Sequence, residues 1–441
     1  MENGGSLARS GGGKFRWYLS FILFLSTALN YVDRQTLSVL ASTIQKELRL
    51  DDIAYSQITS CFLISYTIMY GVSGGLINLM GTRLALAVAV CGWSLVSMFH
   101  AFASSAAHLL FLRFMLGVFE SANFPAGATA IAERFPVEER AAGIGLFAAG
   151  GAVGAALSAP LVSCLAPRFG WRTAFVATGA AGFVWIALWL AAYRREPSGS
   201  GAVQESPAEP PDRPVCWRAL LAMKKTWGCI LARVLTDPII YFVSFWIPKF
   251  FQREHGFSLE EVGRYAWIPY AGLSAGNILG GLIPRQLVKR GASVNRARKA
   301  TMLGASVAML AAAYQAGRAP SGAEALVAVT CLTLGHGMWG NIAIPAEVLP
   351  TRYVSPVSGL GGMFGGVAGI LTQLVIGWTV QRSSYQAVFL MFSLFPLLGL
   401  VVVHLLAGEL GVISEACAGP GIQRRRELAS AEPARARRKH S

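Results

Sequence analysis

The sequence predicts an all-α integral membrane protein, with twelve transmembrane helices arranged as two six-helix pseudo-symmetric bundles. Composition is the first reason. Of 441 residues, 54% are hydrophobic and 14% charged, and the mean hydropathy is +0.49. A soluble domain carries about 25% charged residues, so this chain cannot cover a globular surface with solvating side chains. The second reason is that apolar windows of about 20 residues, enough to cross a bilayer as a helix, recur along most of its length. The third is where the charge sits. A net +15 from 38 Lys+Arg against 23 Asp+Glu would suggest nucleic acid in a polar chain. Here the cations fall between the apolar windows, and a nucleic-acid partner is excluded.

Six windows occupy the first half, over 17–44, 55–79, 83–104, 107–132, 141–166 and 173–193. Six more follow over 227–252, 260–284, 299–317, 323–349, 355–380 and 385–409. The chain therefore divides into an N-terminal segment (1–16), a first bundle (17–193), a linker (194–225), a second bundle (226–409) and a basic tail (410–441). The linker contains the run RREPSGSGAVQESPAEPPDRP, which is rich in Pro, Gly and Ser and is charged. The first window is too long for a secretory signal and has no small-residue cleavage site, so it is read as a retained span. Seven cysteines show neither paired nor metal-type spacing and are expected to be buried apolar residues.

Twelve spans put both termini on one side. If that side is the cytoplasm, 26 of the 38 cations lie in inner segments, nine in outer loops and three in spans. With linker and tail set aside the ratio is still 13 to nine, led by the cluster over 285–299. The excess of Lys and Arg on the cytoplasmic side orients the protein with both ends inside, its basic segments against anionic lipid.

The halves also resemble each other. Gly74-Gly75-Leu76-Ile77 after span two recurs as Gly280-Gly281-Leu282-Ile283 after span eight, and Glu133-Arg134-Phe135-Pro136 after span four as Glu347-Val348-Leu349-Pro350 after span ten. A duplicated six-span unit with a site between the copies is a transporter design.

An ionisable side chain inside a span costs about 2.5–3.5 kcal/mol on insertion scales and marks a functional site by default. Span one carries Asp33 and Arg34, which point about 100° apart and so need separate partners. Span four carries Arg113 and Glu120, nearly two turns apart on one face. Arg34 and Arg113 fall at comparable depth, and two guanidiniums there form a bidentate receptor for a carboxylate. Asp33 and Glu120 would neutralise them when the site is empty and are the proton-coupling candidates. The competing reading is a structural ion cluster between two helices.

Weaker signals lie elsewhere. Tyr66 in span two is a substrate hydrogen-bond donor or a core tyrosine. In span ten, Trp339 offers a face for a sugar ring, and His336 and Asn341 offer partners for hydroxyls; Gln373 in span eleven is similar. A lone histidine in a helix, such as His336, is more often satisfied by a neighbouring polar group. Arg233 and Asp237, spaced i, i+4 in span seven, are a mutual pair or part of an inner gate. The glycine runs from Gly143 to Gly154 and from Gly359 to Gly369 lie in spans, where small residues let helices approach. The sequence contains no phosphate loop, metal-ligand cluster or catalytic triad spacing, so neither a cofactor nor an enzyme is expected.

Several strings carry a family resemblance: LNYVDRQTLSVL in span one, FLISYTIMYGVSGGLINLMG in span two, and RFMLGVFESANFPAGATAIAERFPVEERAAGIGLF over spans four and five. They resemble the major facilitator superfamily, and within it the anion:cation symporter group of bacterial hexuronate and aldonate (galactonate-type) transporters. The stretches RVLTDPIIYFVSFWIPKFF and IPAEVLPTRYVSPVSGLGG agree. The resemblance spans about residues 15–410. It implies proton-coupled import of a sugar acid by alternating access in a bacterial inner membrane. Asp33 and Glu120 would take the protonation roles, Arg34 and Arg113 the substrate carboxylate, and Tyr31, Tyr66 and Trp339 the remaining pocket positions. The chain departs from the superfamily pattern at the loop after span two, where Asn78 replaces the usual acid, and at Pro284-Arg285 after span eight. Glu120-Ser121-Ala122-Asn123 also varies the usual E-G-G-N.

The function expected is therefore a monomeric proton symporter for a small organic carboxylate. An organic-anion or phosphate-ester exchanger would use the arginines without Asp33 and Glu120. A non-transporting sensor on the same fold would need a signalling domain that the linker and tail are too short to supply.

Overall fold

The computed structural model describes residues 7–193, 217–349 and 351–410, and every regular element among them is helical. The first half comprises α1 (Leu7–Val39), α2 (Ala41–Leu48), α3 (Asp52–Met80), α4 (Thr82–Phe99), α5 (Ala106–Glu120), α6 (Asn123–Arg134), α7 (Val137–Phe169) and α8 (Trp171–Ala192). The second comprises α9 (Trp217–Ala222), α10 (Lys224–His255), α11 (Leu259–Tyr265), α12 (Ile268–Lys289), α13 (Val294–Ala316), α14 (Gly322–Trp339), α15 (Ile344–Val348), α16 (Thr351–Arg382) and α17 (Tyr385–Val402). Nine helical segments of the described residues are long and apolar enough to cross a bilayer. Helices α1, α12 and α13, of 33, 22 and 23 residues, pack among them.

Local sequence explains the ends. Asp51 accepts a hydrogen bond from the Ala54 amide at 2.7 Å to start α3, and Ser258 and Glu261 form a reciprocal cap on α11. Gly81 (φ 75°) and Gly170 (φ 84°) are single-residue joints between antiparallel helices, a backbone conformation that a side chain resists. The expected first span is divided at Leu40, between α1 and α2. Residues 217–222 of the expected linker form α9, whereas 194–216 and the tail from 411 lie outside the described residues.

The repeated motifs hold equivalent positions. Glu133 accepts from Thr82 Oγ1 at the start of α4 at 2.5 Å and from the Tyr193 hydroxyl. Glu347 accepts from Arg298 Nε, near the start of α13, at 3.1 Å. Each glutamate ties the end of its half's fourth traverse to the start of the third. Both fourth traverses are also broken: α5 stops at Glu120 and α6 resumes at Asn123, while α14 stops before Gly340 (φ 64°).

Small residues set the helix spacing. A Cβ built on Gly150 would lie 2.2 Å from the Phe24 carbonyl oxygen, and one on Gly154 would lie 2.2 Å from that of Ala28. Helices α1 and α7 therefore touch backbone to backbone.

Among the described residues, the hydrogen bonds that join the two halves lie towards one side. Call the face where α1 ends the far face, and the opposite one the near face. Helices α3 and α16 run antiparallel and are joined from the far face inward: Ile53 N to Gln381 Oε1 (3.0 Å), Thr59 Oγ1 to Gln373 Oε1 (3.3 Å) and Ser60 Oγ to Ile370 O (3.4 Å). Between α1 or α3 and α10, Ser38 donates to Ser244 O (2.7 Å) and Tyr55 to Phe245 O (2.6 Å). Towards the near face α3 stands clear. Leu79 is 85% exposed, and a Cβ on Gly71, Gly74 or Gly75 would meet nothing within 4 Å.

Gly154→Leu should lower the melting temperature in detergent and destabilise the protein by about 1–3 kcal/mol, the usual cost of overpacking. Gly145→Leu, on the same helix with open space at its Cβ, should leave the melt unchanged. Equal melts for both variants would contradict the backbone contact.

Candidate substrate and coupling site

The charged spans converge inside the first half. Arg34 (α1) donates from Nε at 3.1 Å and Nη2 at 3.0 Å to Glu120 Oε2 (α5). Arg34 Nη2 also reaches Asn30 Oδ1, one turn back, at 3.2 Å. Three rings surround the guanidinium: its centre lies 4.8 Å from the Tyr31 centroid, 4.7 Å from Tyr66 and 5.0 Å from Phe62. A cation over aromatic faces is further stabilised where water is scarce, and Arg34 is only 9% exposed.

The break between α5 and α6 comes immediately after Glu120. It is pinned to α1 by Asn123, which donates to Thr27 Oγ1 (3.1 Å) and accepts from Ser26 Oγ (3.0 Å). Glu120 is fully buried, and its Oε1 has no partner. That leaves one oxygen paired and one lone-pair face open, the condition under which a buried carboxylate can exchange a proton or a partner.

Asp33 and Arg113 are placed differently from the sequence expectation. Asp33 forms no ion pair with either arginine among the described residues; its Oδ1 accepts from Ser97 Oγ of α4 at 2.8 Å, and Oδ2 makes no hydrogen bond. The 100° step between neighbouring residues sends Asp33 to one helix and Arg34 to another. Arg113 makes no ion pair among the described residues. Its Nη1 donates to the Arg34 carbonyl at 3.2 Å, and its Nε and Nη2 are buried without partners. The two guanidinium-bearing residues are thus adjacent, with Arg113 behind Arg34.

The second half holds a separate polar group. Arg233 Nε donates to Asp237 Oδ2 at 2.9 Å, and its Nη1 to the Ser358 carbonyl at 3.1 Å. Asn341, at the Gly340 break, donates to Asp237 Oδ1 (2.7 Å) and Thr236 Oγ1 (2.6 Å). Glycines in α16 make room: a Cβ on Gly365 would lie 2.3 Å from Asp237 Oδ2. Every bond of the Arg233–Asp237 pair stays within this half, so in this conformation it braces α10 against α14 and α16 and closes no gate.

Three sequence candidates are not brought to the Arg34 cluster. Trp339 is 1% exposed and packs in the core of the second half, and its Nε1 donates to Ser306 Oγ at 3.0 Å. The face expected to stack on a sugar is covered, because the αL turn at Gly340 directs the end of α14 into the bundle. Gln373 sits at the junction of the halves, accepting from Trp246 Nε1 at 2.5 Å and from Thr59. His336 Nδ1 is buried and unpartnered. Conversely, Phe62 and Ser97 belong to the cluster and were not singled out. Phe62 lies four residues before Tyr66 on the same helical face, a spacing that could have found it. Nothing in the sequence pairs Ser97 with Asp33.

Comparisons with known proteins agree with this architecture. A family model described as Major Facilitator Superfamily matches residues 23–372. The hexuronate transporter of Escherichia coli (strain K12) is 29% identical over 406 residues, covering 88% of this chain and 93% of its own. The galacturonate transporter of Dickeya chrysanthemi is 33% identical over 281 residues, covering 61% and 81%, and the D-galactonate transporter of E. coli O6:H1 is 25% identical over 421 residues, covering 90% and 96%. Among solved structures, a bacterial homologue of the human lysosomal transporter Spinster, inward-facing and unoccupied, superposes with a TM-score of 0.74 at 19% identity, covering 89% of this chain and 97% of that one. The xylose transporter of E. coli in its inward open conformation gives 0.71 at 14% identity, covering 89% and 97%. The relatives are transporters and not enzymes, and this multi-pass membrane protein belongs to the Major Facilitator Superfamily.

Proposed function

We propose that the protein imports a sugar acid, a hexuronate or aldonate, together with a proton by alternating access. The observation that carries this reading is the buried Arg34–Glu120 pair, lodged in an aromatic cage between an arginine and an aspartate whose polar atoms are not all satisfied. A proton on Glu120 cancels the charge that holds Arg34, and the freed guanidinium can then take a carboxylate by its planar fork. Loss of the proton restores the pair and expels the anion. Asp33, held by Ser97, is the second protonation site. Arg113 keeps the region positive and positions the Arg34 backbone. Asn341 and the Arg233–Asp237 pair brace the other half from within.

The hexuronate, galacturonate and galactonate transporters named above support the substrate class. The closed far face and clear near face correspond to an inward-facing state, with the near face and both termini cytoplasmic. The membrane is the bacterial inner membrane, and one chain contains a complete pair of halves, so a monomer suffices.

In proteoliposomes with an inward proton gradient, Glu120→Gln should abolish accumulation of labelled galacturonate or galactonate while retaining counterflow. The glutamine mimics a permanently protonated acid, which still binds but cannot release its proton. Gradient-driven accumulation by Glu120→Gln at the wild-type level would contradict the coupling role. Arg34→Lys keeps the charge but loses the fork, so the apparent substrate affinity should fall by about tenfold or more. An unchanged affinity would remove Arg34 from the substrate site.

A further inference from the structure

At the far face, residues outside the proposed substrate site form a cluster that crosses between the halves. Asp52, at the first turn of α3, is 8% exposed. Its Oδ1 pairs with the Lys249 ammonium and its Oδ2 with the Arg253 guanidinium, both from α10. Gln45 from α2 donates to the same Oδ1 at 3.2 Å. Lys249 is 4% exposed and lies 5.2 Å from the ring centroids of Tyr55 and Trp246, so rings from both halves flank it. Next to it Gln381 (α16) donates to Asp51 at 3.3 Å, and Gln252 (α10) to the Val39 carbonyl at 3.2 Å. Asp52, Lys249 and Arg253 line an open cavity of about 520 Å³ on this face.

We propose that Asp52, Lys249 and Arg253 are the outer latch, an ionic lock that holds the far face shut and sets the balance between the two orientations of the transporter. The physical argument is one of alternatives. For α3 and α10 to part at this end, one carboxylate must leave two cations, one of which is almost wholly buried between the halves. A half-buried pair is screened less by salt than a surface pair and is costly to break singly. Among the described residues the near end of α3 is clear, with a Cβ on Gly71, Gly74 or Gly75 meeting nothing within 4 Å, so the cluster favours the far-closed state.

The test is a distance measurement needing neither substrate nor proton gradient, so it stands or falls apart from the sugar-acid reading. In a cysteine-free background, spin labels on exposed Thr43 (α2) and Glu260 (α11) report the far opening by pulsed electron resonance. A second pair on Thr43 and Phe102, both in the first half, reports that the bundle is intact. Asp52→Asn should raise the ratio of long to short Thr43–Glu260 distances by about tenfold or more, with the Thr43–Phe102 distance unchanged. Lys249→Gln with Arg253→Gln should produce the same shift, and adding Asp52→Asn to that pair should produce no further one. A wild-type distribution in both variants, or shifts that simply add, would overturn the latch. Should Asp52→Asn disturb the bundle, the Lys249→Gln/Arg253→Gln variant decides alone.

Discussion

A guanidinium inside an apolar bundle must find a carboxylate, and in this protein the Arg34–Glu120 bond answers that requirement. Removing one partner of a buried pair costs about 3–5 kcal/mol, because the other is left as an uncompensated charge. Much of the first half is arranged around this bond. Helix α5 ends at Glu120, Asn123 ties the restart to α1, and Gly150 and Gly154 let α7 come against the backbone of α1. Tyr31, Tyr66 and Phe62 close round the cation. A bond so costly to break has to be broken by something of equal charge. In the proposed mechanism that part is played by a proton and an organic anion.

The charges lie between a closed end and an open one. On the far side the halves are joined by hydrogen bonds from α1 and α3 to α10 and α16, and by Asp52 between its two cations. On the near side α3 is clear of the second half. The proposed binding site at mid-depth and the proposed ionic latch at the far end are thus distinct parts, made by different residues. Glu133 and Glu347 each tie two helix ends together within their own half.

Much of this was legible in the chain itself. Hydropathy located the spans, and the cost of burial pointed to Asp33, Arg34, Arg113 and Glu120. What sequence spacing could not supply was the partner across helices. It assigned Asp33 to an arginine, whereas the 100° step turns it to Ser97. It placed Trp339 in the pocket, whereas the turn at Gly340 puts it in the core. Asp52, Lys249 and Arg253 were not singled out, because contacts between residues about 200 positions apart leave no periodic mark. Asn341 fell among hydroxyl partners for the substrate, and folding joins it to Asp237.

The central claim is that sugar acid and proton move together through the Arg34–Glu120 site, and internal pH reports it directly. Wild-type protein in weakly buffered proteoliposomes containing a pH dye, with no gradient imposed, should acidify the lumen when galacturonate is added outside. Glu120→Gln should not. Galacturonate that enters the wild-type vesicles without moving the internal pH would contradict the account.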